Sequence, residues 1–364
     1  MSSRMKLVIN TGGGDAPGLN AVIRAVVLAS HQRGWEVYGS RNGYEGLQNT
    51  DELIHLTPGM VANIASMGGT ILGTTNKGNP FELMVETADG TYQKRDISEK
   101  IHTTFKRMGF DCLIAVGGDG SLSIANRFAE MGMPVVGVPK TIDNDLSSTV
   151  ITFGFDTAVS TATEAIDKLH STASAHERVM VVEVMGRNAG WIALNSGVSG
   201  SADAILIPEI PFDIEKVAAR LMDNELAGRR YGIVVVAEGA IPAGGGVFTK
   251  EGGEVGRLAQ MLGGVADHVA KELHRLTDKD TRSIVLGHLQ RGGSPTTFDR
   301  LLATRFGAAA VRMIEQGQRN IMVSHMPPGM VAVPLKLAVE KMKQVPLDCD
   351  TIQTAKDLGI CLGD

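Results

Sequence analysis

Aromatic side chains make up only 4% of the 364 residues, so recognition by stacking platforms is not expected. Cysteine is scarcer still. Cys112, Cys349 and Cys361 show no CxxC or Cys/His spacing, which argues against a disulfide scaffold and points to a reducing, cytoplasmic setting. Cys112 lies in the apolar run CLIAV and reads as a small buried hydrophobe. There is no Lys/Arg block and the formal net charge is −5, so neither nucleic acid nor an anionic membrane is the expected partner. No uncharged apolar stretch approaches the ~18 residues of a membrane-spanning helix. The opening MSSRMKLVIN enters a strand-like run directly, without a secretory hydrophobic region. Flexible linkers, short-period repeats and long low-complexity tracts are also missing.

Glycine is abundant instead, and its placement is regular. KLVIN (6–10) leads into TGGGDAPG and the helical pattern LNAVIRAVVLASHQ (19–32). CLIAV (112–116) leads into GGDGS, and PVVGV (134–138) into PKTIDND. RVMVVEVM (178–185), AILIP (204–208), GIVVVAEGA (232–240) and TRSIVLGH (281–288) follow. Continuous β-branched runs of this kind read as strands buried on both faces, and alternation with helices predicts an α/β fold with mostly parallel sheets. The length exceeds what one core usually serves, so two domains are expected, with a change near 150–155. Segment 76–95 is polar and turn-rich and predicts an exposed hairpin or loop.

In such folds ligands meet the loops at the carboxyl ends of strands. Glycines in TGGGDAPG (11–18) would let backbone N–H groups approach a phosphate at a helix N-terminus. A turn with no ligand fits the residues equally well, and neither GxGxxG nor GxxxxGK[ST] is present. In GGDGS a carboxylate, Asp119, sits among glycines. Beside a phosphate it would be repulsive without a cation, which suggests Mg²⁺. As a purely structural residue it would cap the next helix. VGVPKTIDNDL (136–146) sets Asp143 and Asp145 beyond an apolar run, with Lys140 three residues before the first. In an extended segment these two carboxylates would point the same way; the plain alternative is an Asx-type turn.

GGDAPGLNAVIR (13–24), GGTILG (68–73), GGDGS (117–121), PKTIDND (139–145), VMGRNAG (184–190), AEG (237–239) and LGHLQRGGSPTTFDR (286–300) together resemble the phosphofructokinase family, in its order and spacing. TAKDLGICLGD near the C-terminus is similar to the longer bacterial branch. The resemblance implies two Rossmann-like three-layer domains: 1–154 with about 290–340 for the phosphoryl donor, and 155–289 with about 341–364 for the sugar phosphate. It implies a glycolytic, Mg²⁺-dependent transfer from ATP to fructose 6-phosphate. Active sites would be shared across the subunits of a homo-oligomer, a dimer or a tetramer.

By the same resemblance Asp143 is the general base, Thr141 and Arg187 support the transferring phosphate, and Asp145 assists the metal or the base. Gly13, Lys77, Gly78, Gly118, Asp119, Gly120 and Ser121 would meet the donor, with Asp119 the metal ligand. Thr141, Ile142, Asp143, Arg178, Met185, Gly186, Arg187, Glu238, Arg282, His288 and Arg291 would meet the sugar phosphate, Arg178 and Arg282 from a neighbouring subunit. Several convergent arginines suit a phosphate dianion. An isolated histidine such as His288 could also be a packed core residue, but its place before Arg291 favours contact with the sugar phosphate.

Two positions bear on the donor. Gly120 leaves room for a nucleotide where pyrophosphate users carry a second aspartate, whereas Lys140 resembles the pyrophosphate users. Gly120 is given the greater weight, because a steric block is harder to evade than a missing charge. Pyrophosphate remains the alternative donor. An arginine bridging donor and acceptor in the short bacterial enzymes is replaced here by Asn76 and then Lys77. More distant alternatives are an NAD- or lipid-kinase-like enzyme and a phosphosugar-binding regulatory subunit.

Overall fold

The structure is a computed structural model that describes residues 4–249 and 262–364. Thirteen strands occur among the described residues: β1 Lys6–Thr11, β2 Glu36–Ser40, β3 Leu53–Leu56, β4 Leu83–Glu86, β5 Tyr92–Arg95, β6 Cys112–Gly117, β7 Val135–Pro139, β8 Val179–Val184, β9 Ala204–Leu206, β10 Gly232–Ala237, β11 Thr281–Val285, β12 Ile321–Met326 and β13 Gly329–Pro334. The chain divides into two compact units. Among the described residues, the first comprises 4–156 and Arg291–Met342, and the second 157–249, 262–290 and Lys343–Asp364.

The first unit carries a seven-stranded sheet in the order β13-β12-β7-β6-β1-β2-β3, parallel except for its two edge strands. Side chains alternate across the pleat, so β1 sends Leu7 and Ile9 to one face and Val8 to the other. Both faces are covered. Leu7 and Ile9 join a core with Val22, Val26, Phe306 and Ala310 from helices Leu19–His31 and Thr297–Glu315. Val8 joins Phe105 and Phe128 from helices Ser98–Arg107 and Asp119–Glu130. Strands sandwiched this way have no solvent face to keep polar, hence the uninterrupted apolar runs. The α/β expectation is borne out. Within segment 76–95, β4 and β5 form an antiparallel hairpin whose second strand is exposed along its length.

The second unit carries a four-stranded sheet, β11-β8-β10-β9, parallel throughout. Val179, Val181, Val234 and Val236 share one core with Leu221, Val269 and Leu273. The edge at β9 is closed by Cys361: its N–H donates to Asp203 O at 2.9 Å, and its carbonyl accepts from Ile205 N at 2.8 Å. That extra pairing satisfies backbone groups that an open edge would leave exposed.

Candidate active site

In the first unit the chain runs outward in opposite directions from β1 and β6, which makes the gap between them the switch point where doubly wound sheets bind ligands. Loops following β1, β6 and β7 carry the three sequence motifs. The two glycine turns fit against each other through Ser121. A Cβ on Gly12 would lie 2.7 Å from Ser121 Oγ, and one on Gly117 would lie 2.3 Å from Ser121 Cβ. Side chains are excluded there by contact. Gly13, at φ 77°, sits in the left-handed region that glycine tolerates. Its N–H donates to Thr75 O at 3.1 Å, and Thr74 Oγ1 donates to its carbonyl at 2.5 Å. Those bonds bring the segment bearing Lys77 and Gly78 beside the first glycine turn.

Asp119 is the first residue of helix Asp119–Glu130 and is exposed. The capping position belongs to Gly118, so Asp119 is not the helix cap. A Cβ built on Gly120 meets nothing within 4 Å, so that position opens onto free space.

The segment after β7 is buried throughout, from Lys140 and Thr141 to Asp143, Asn144 and Asp145. It is not extended, as the sequence reading assumed. Asn144 adopts φ 52°, and the two aspartates flank that kink. Thr152 holds the bend from outside the loop: its N–H donates to Asn144 Oδ1 at 3.2 Å, and its hydroxyl donates to Thr141 O at 2.8 Å. Asp143 N donates to Thr141 Oγ1 at 3.0 Å. Asp145 Oδ1 is buried and finds no hydrogen-bond partner among the described residues. Burial, and then the charges of Asp143 and Asp119, push the Asp145 carboxyl up to about 7.

Lys140 Nζ donates to Gly14 O. Burial, and next the positive charge of Arg291, bring its ammonium down to about 8, against the pull of Asp143, Asp15 and Asp145. Arg291 belongs to this first unit and lies against the glycine turn, where Nη1 donates to Asp15 O at 2.9 Å.

In the second unit, Met185, Gly186 and Arg187 follow β8 and Glu238 follows β10, at the carboxyl ends of adjacent parallel strands. Glu238 Oε1 accepts from Arg187 N at 3.1 Å. Glu238 therefore braces the turn that aims the arginine. Arg187 sits at φ 53°, and a Cβ on Gly239 would fall 1.8 Å from its carbonyl oxygen, so the turn requires glycine there. Met185 N donates to the buried Gln290 Oε1 at 3.3 Å. His288 is exposed on the short helix Gly287–Arg291 and is not a core histidine.

Arg178 and Arg282 occupy the other end of this sheet. They stand at the amino ends of β8 and β11, and both pair with Asp280, each at 2.5 Å. The six residues of β8 separate Arg178 from Met185, roughly 20 Å at about 3.3 Å per residue. Asp280 was not singled out from the sequence, although it lies two residues before Arg282. Thr152, Asp15 and Gln290 also escaped notice, although Asp15 and Gln290 lie inside two of the quoted motifs.

The chain matches the phosphofructokinase family model over residues 6–314. It is 47% identical to an ATP-dependent 6-phosphofructokinase of Chloroflexus aggregans, covering 100% of this chain and 99% of that one. The chain belongs to the phosphofructokinase family. A Clostridium perfringens relative named ATP-dependent 6-phosphofructokinase 2 is 46% identical over 99% of this chain and 98% of its own. Among solved structures, phosphofructokinase from Pichia pastoris superposes with a TM-score of 0.79 at 31% identity, across 99% of this chain and 37% of that one. This family membership sets aside the NAD- and lipid-kinase alternative. No helix among the described residues is long and apolar enough to cross a membrane.

Proposed function

We propose that this phosphofructokinase transfers the γ-phosphoryl group of ATP to the 1-hydroxyl of fructose 6-phosphate, in the cytoplasm, yielding fructose 1,6-bisphosphate and ADP. The observation that carries the reading is the buried, braced loop Thr141–Asp145 beside the two glycine turns. Asp143 takes the proton of the 1-hydroxyl as that oxygen attacks phosphorus in line. The new O–P bond forms as the bond to the bridging oxygen breaks, and ADP leaves with the electron pair. The glycine turns and the segment of Lys77 and Gly78 hold the donor. Arg187 answers charge on the transferring group, while Glu238 accepts from sugar hydroxyls, and His288 meets the sugar phosphate.

The charges of Asp143 and Asp119 both act on Asp145, and these carboxylates, with the unpartnered buried Asp145 Oδ1, are hard oxygen donors suited to Mg²⁺. Asp119 and Asp145 would hold it, and when bound it neutralises phosphate charge. Among the described residues no set of three or more acidic, histidine or cysteine side chains is arranged to hold a metal. Remaining ligands would then be donor oxygens.

Arg178 and Arg282 lie too far along the sheet to serve their own chain's Arg187 and Glu238. Their place favours service to a second copy's sugar phosphate, which makes a homo-oligomer, dimer or tetramer, the working form.

The open space at Gly120 favours ATP as donor, and the buried Lys140 is the one observation on the side of pyrophosphate. A coupled assay with fructose 6-phosphate and either donor tests the reading. Turnover with ATP is expected. Turnover with pyrophosphate alone would overturn the donor, and none with either would overturn the substrate.

A further inference from the structure

We infer that Lys140 is a positioning residue for the first glycine turn and not a contact that selects the phosphoryl donor. The inference rests on the ATP reading above. Its ground is an arrangement that spans the motif. Lys140 Nζ donates to Gly14 O, and Arg291 Nη1 donates to Asp15 O at 2.9 Å, so two consecutive carbonyls of one turn are each held by a cationic donor. The fit is close: a Cβ on Gly13 would lie 3.4 Å from Lys140 Nζ, and one on Gly14 would lie 2.9 Å from Arg291 Nη1. The lysine's own backbone is fixed, with its N–H donating to Gly117 O at 2.9 Å and the residue bridged to Phe153. Its side chain has little freedom to reach elsewhere, being only 3% exposed.

The consequence follows from peptide geometry. In a trans peptide C=O and N–H point in opposite directions. Drawing the Gly14 carbonyl toward Lys140 turns the Asp15 N–H away from the ammonium, and drawing the Asp15 carbonyl toward Arg291 does the same for the Ala16 N–H. Two successive N–H groups are thereby each turned from their own cation, just ahead of helix Leu19–His31, where consecutive N–H groups can cradle an anion. The ammonium already has its acceptor in the protein. It is not held in reserve to neutralise a pyrophosphate, which is how a lysine can stand at this position in an ATP user.

The test compares wild type with Lys140→Met, which keeps the stem, and Lys140→Gln, which keeps an N–H donor without the charge. Hydrogen exchange of the peptide covering residues 12–18 is read first, because it needs no substrate. About tenfold faster exchange in Lys140→Met, with β6 and β7 unchanged and Lys140→Gln intermediate, is expected for loss of a hydrogen bond from a charged donor. In assays the KM for ATP should rise about tenfold in Lys140→Met while the KM for fructose 6-phosphate stays within about twofold. Unchanged exchange would overturn the inference. So would equal rises in both KM values, or a Lys140→Gln protein as impaired as Lys140→Met. Should Lys140→Met not fold, Lys140→Gln alone is read against wild type by the same criteria. Failure of wild type to use ATP would instead strike the functional reading and leave the exchange result standing on its own.

Discussion

The loop after β7 and the loop after β8 both project from the carboxyl ends of parallel strands, yet they are built on opposite principles. Residues Lys140 to Leu146 are all buried, and Thr152 ties the bend at two points. After β8, Arg187 is partly exposed and Asn188 exposed, and the turn is braced through its backbone N–H groups by the side chains of Glu238, Gln290 and Glu209. Groups that react gain from being fixed in advance, since nothing need reorganise at the moment of transfer. Groups that recognise a phosphate remain hydrated until a ligand arrives, so an arginine need not be buried as an uncompensated charge. Fixing the first loop has a cost, visible in Asp145, whose ionised form is disfavoured by burial and by two neighbouring carboxylates.

The contrast can be broken at four points, taken here from the largest effect down. Asp143→Ala should lower kcat by about 10³-fold or more while the circular dichroism spectrum stays that of wild type, because general base catalysis is removed from a loop still held by Thr152. Near-normal kcat would mean that the buried loop does not supply the base. Arg187→Ala should reduce kcat/KM for fructose 6-phosphate by about 10²-fold, with the KM for ATP nearly unmoved. A loss confined to ATP would assign that loop to the donor.

Arg178→Ala should raise the KM for fructose 6-phosphate about tenfold, the loss of one charge-assisted contact. When Arg178→Ala chains are mixed with inactive Asp143→Ala chains and re-associated, activity above the sum of the two should appear. Strict additivity would confine Arg178 to its own chain.

The smallest effect concerns stability. A carboxyl whose value is raised by folding contributes stability that is complete at low pH and is lost as pH climbs through about 7. In metal-free buffer Asp145→Asn should therefore match wild type only below the ordinary carboxyl value of 3.8, draw ahead as pH rises from there to about 7, and stand about 2–4 °C higher in Tm by pH 8 for each kcal/mol relieved. An advantage that shrinks as pH rises would reverse the proposed environment of Asp145.

How far the sequence could be read depended on the range of the interaction. Strands β1, β6, β7 and β8 were legible within a residue or so, and β10 at its start but three residues too long, because a strand covered on both faces is apolar at nearly every position. β2 (EVYGS) and β12 (IMVSHM), with mixed composition, gave no such signal. In the candidate site, residue types announced themselves through motifs, whereas geometry did not. Asn144 can occupy the left-handed region at modest cost, so the kink between two aspartates was permitted by the sequence but not required by it. The partner of Lys140 lies 126 residues away, and no local pattern encodes it. Arg291 shows the same limit: adjacent in sequence to Gln290, it falls in the other unit.

Among the described residues, the first unit is assembled from two stretches of chain with most of the second unit's sequence between them and Lys343–Asp364 after them. Its β7–β12 junction joins Val135 to Asn320, residues 185 apart, by two hydrogen bonds, and β12 then pairs in parallel with β7. During synthesis, the ribosome delivers β1, β6 and β7 long before β12 exists to cover the open side of β7. The first sheet must therefore wait with an unpaired, fully apolar strand edge while most of the second unit is made. The N-terminal unit cannot be completed before most of the second unit has been made, and an uncovered apolar edge is an aggregation hazard throughout that interval.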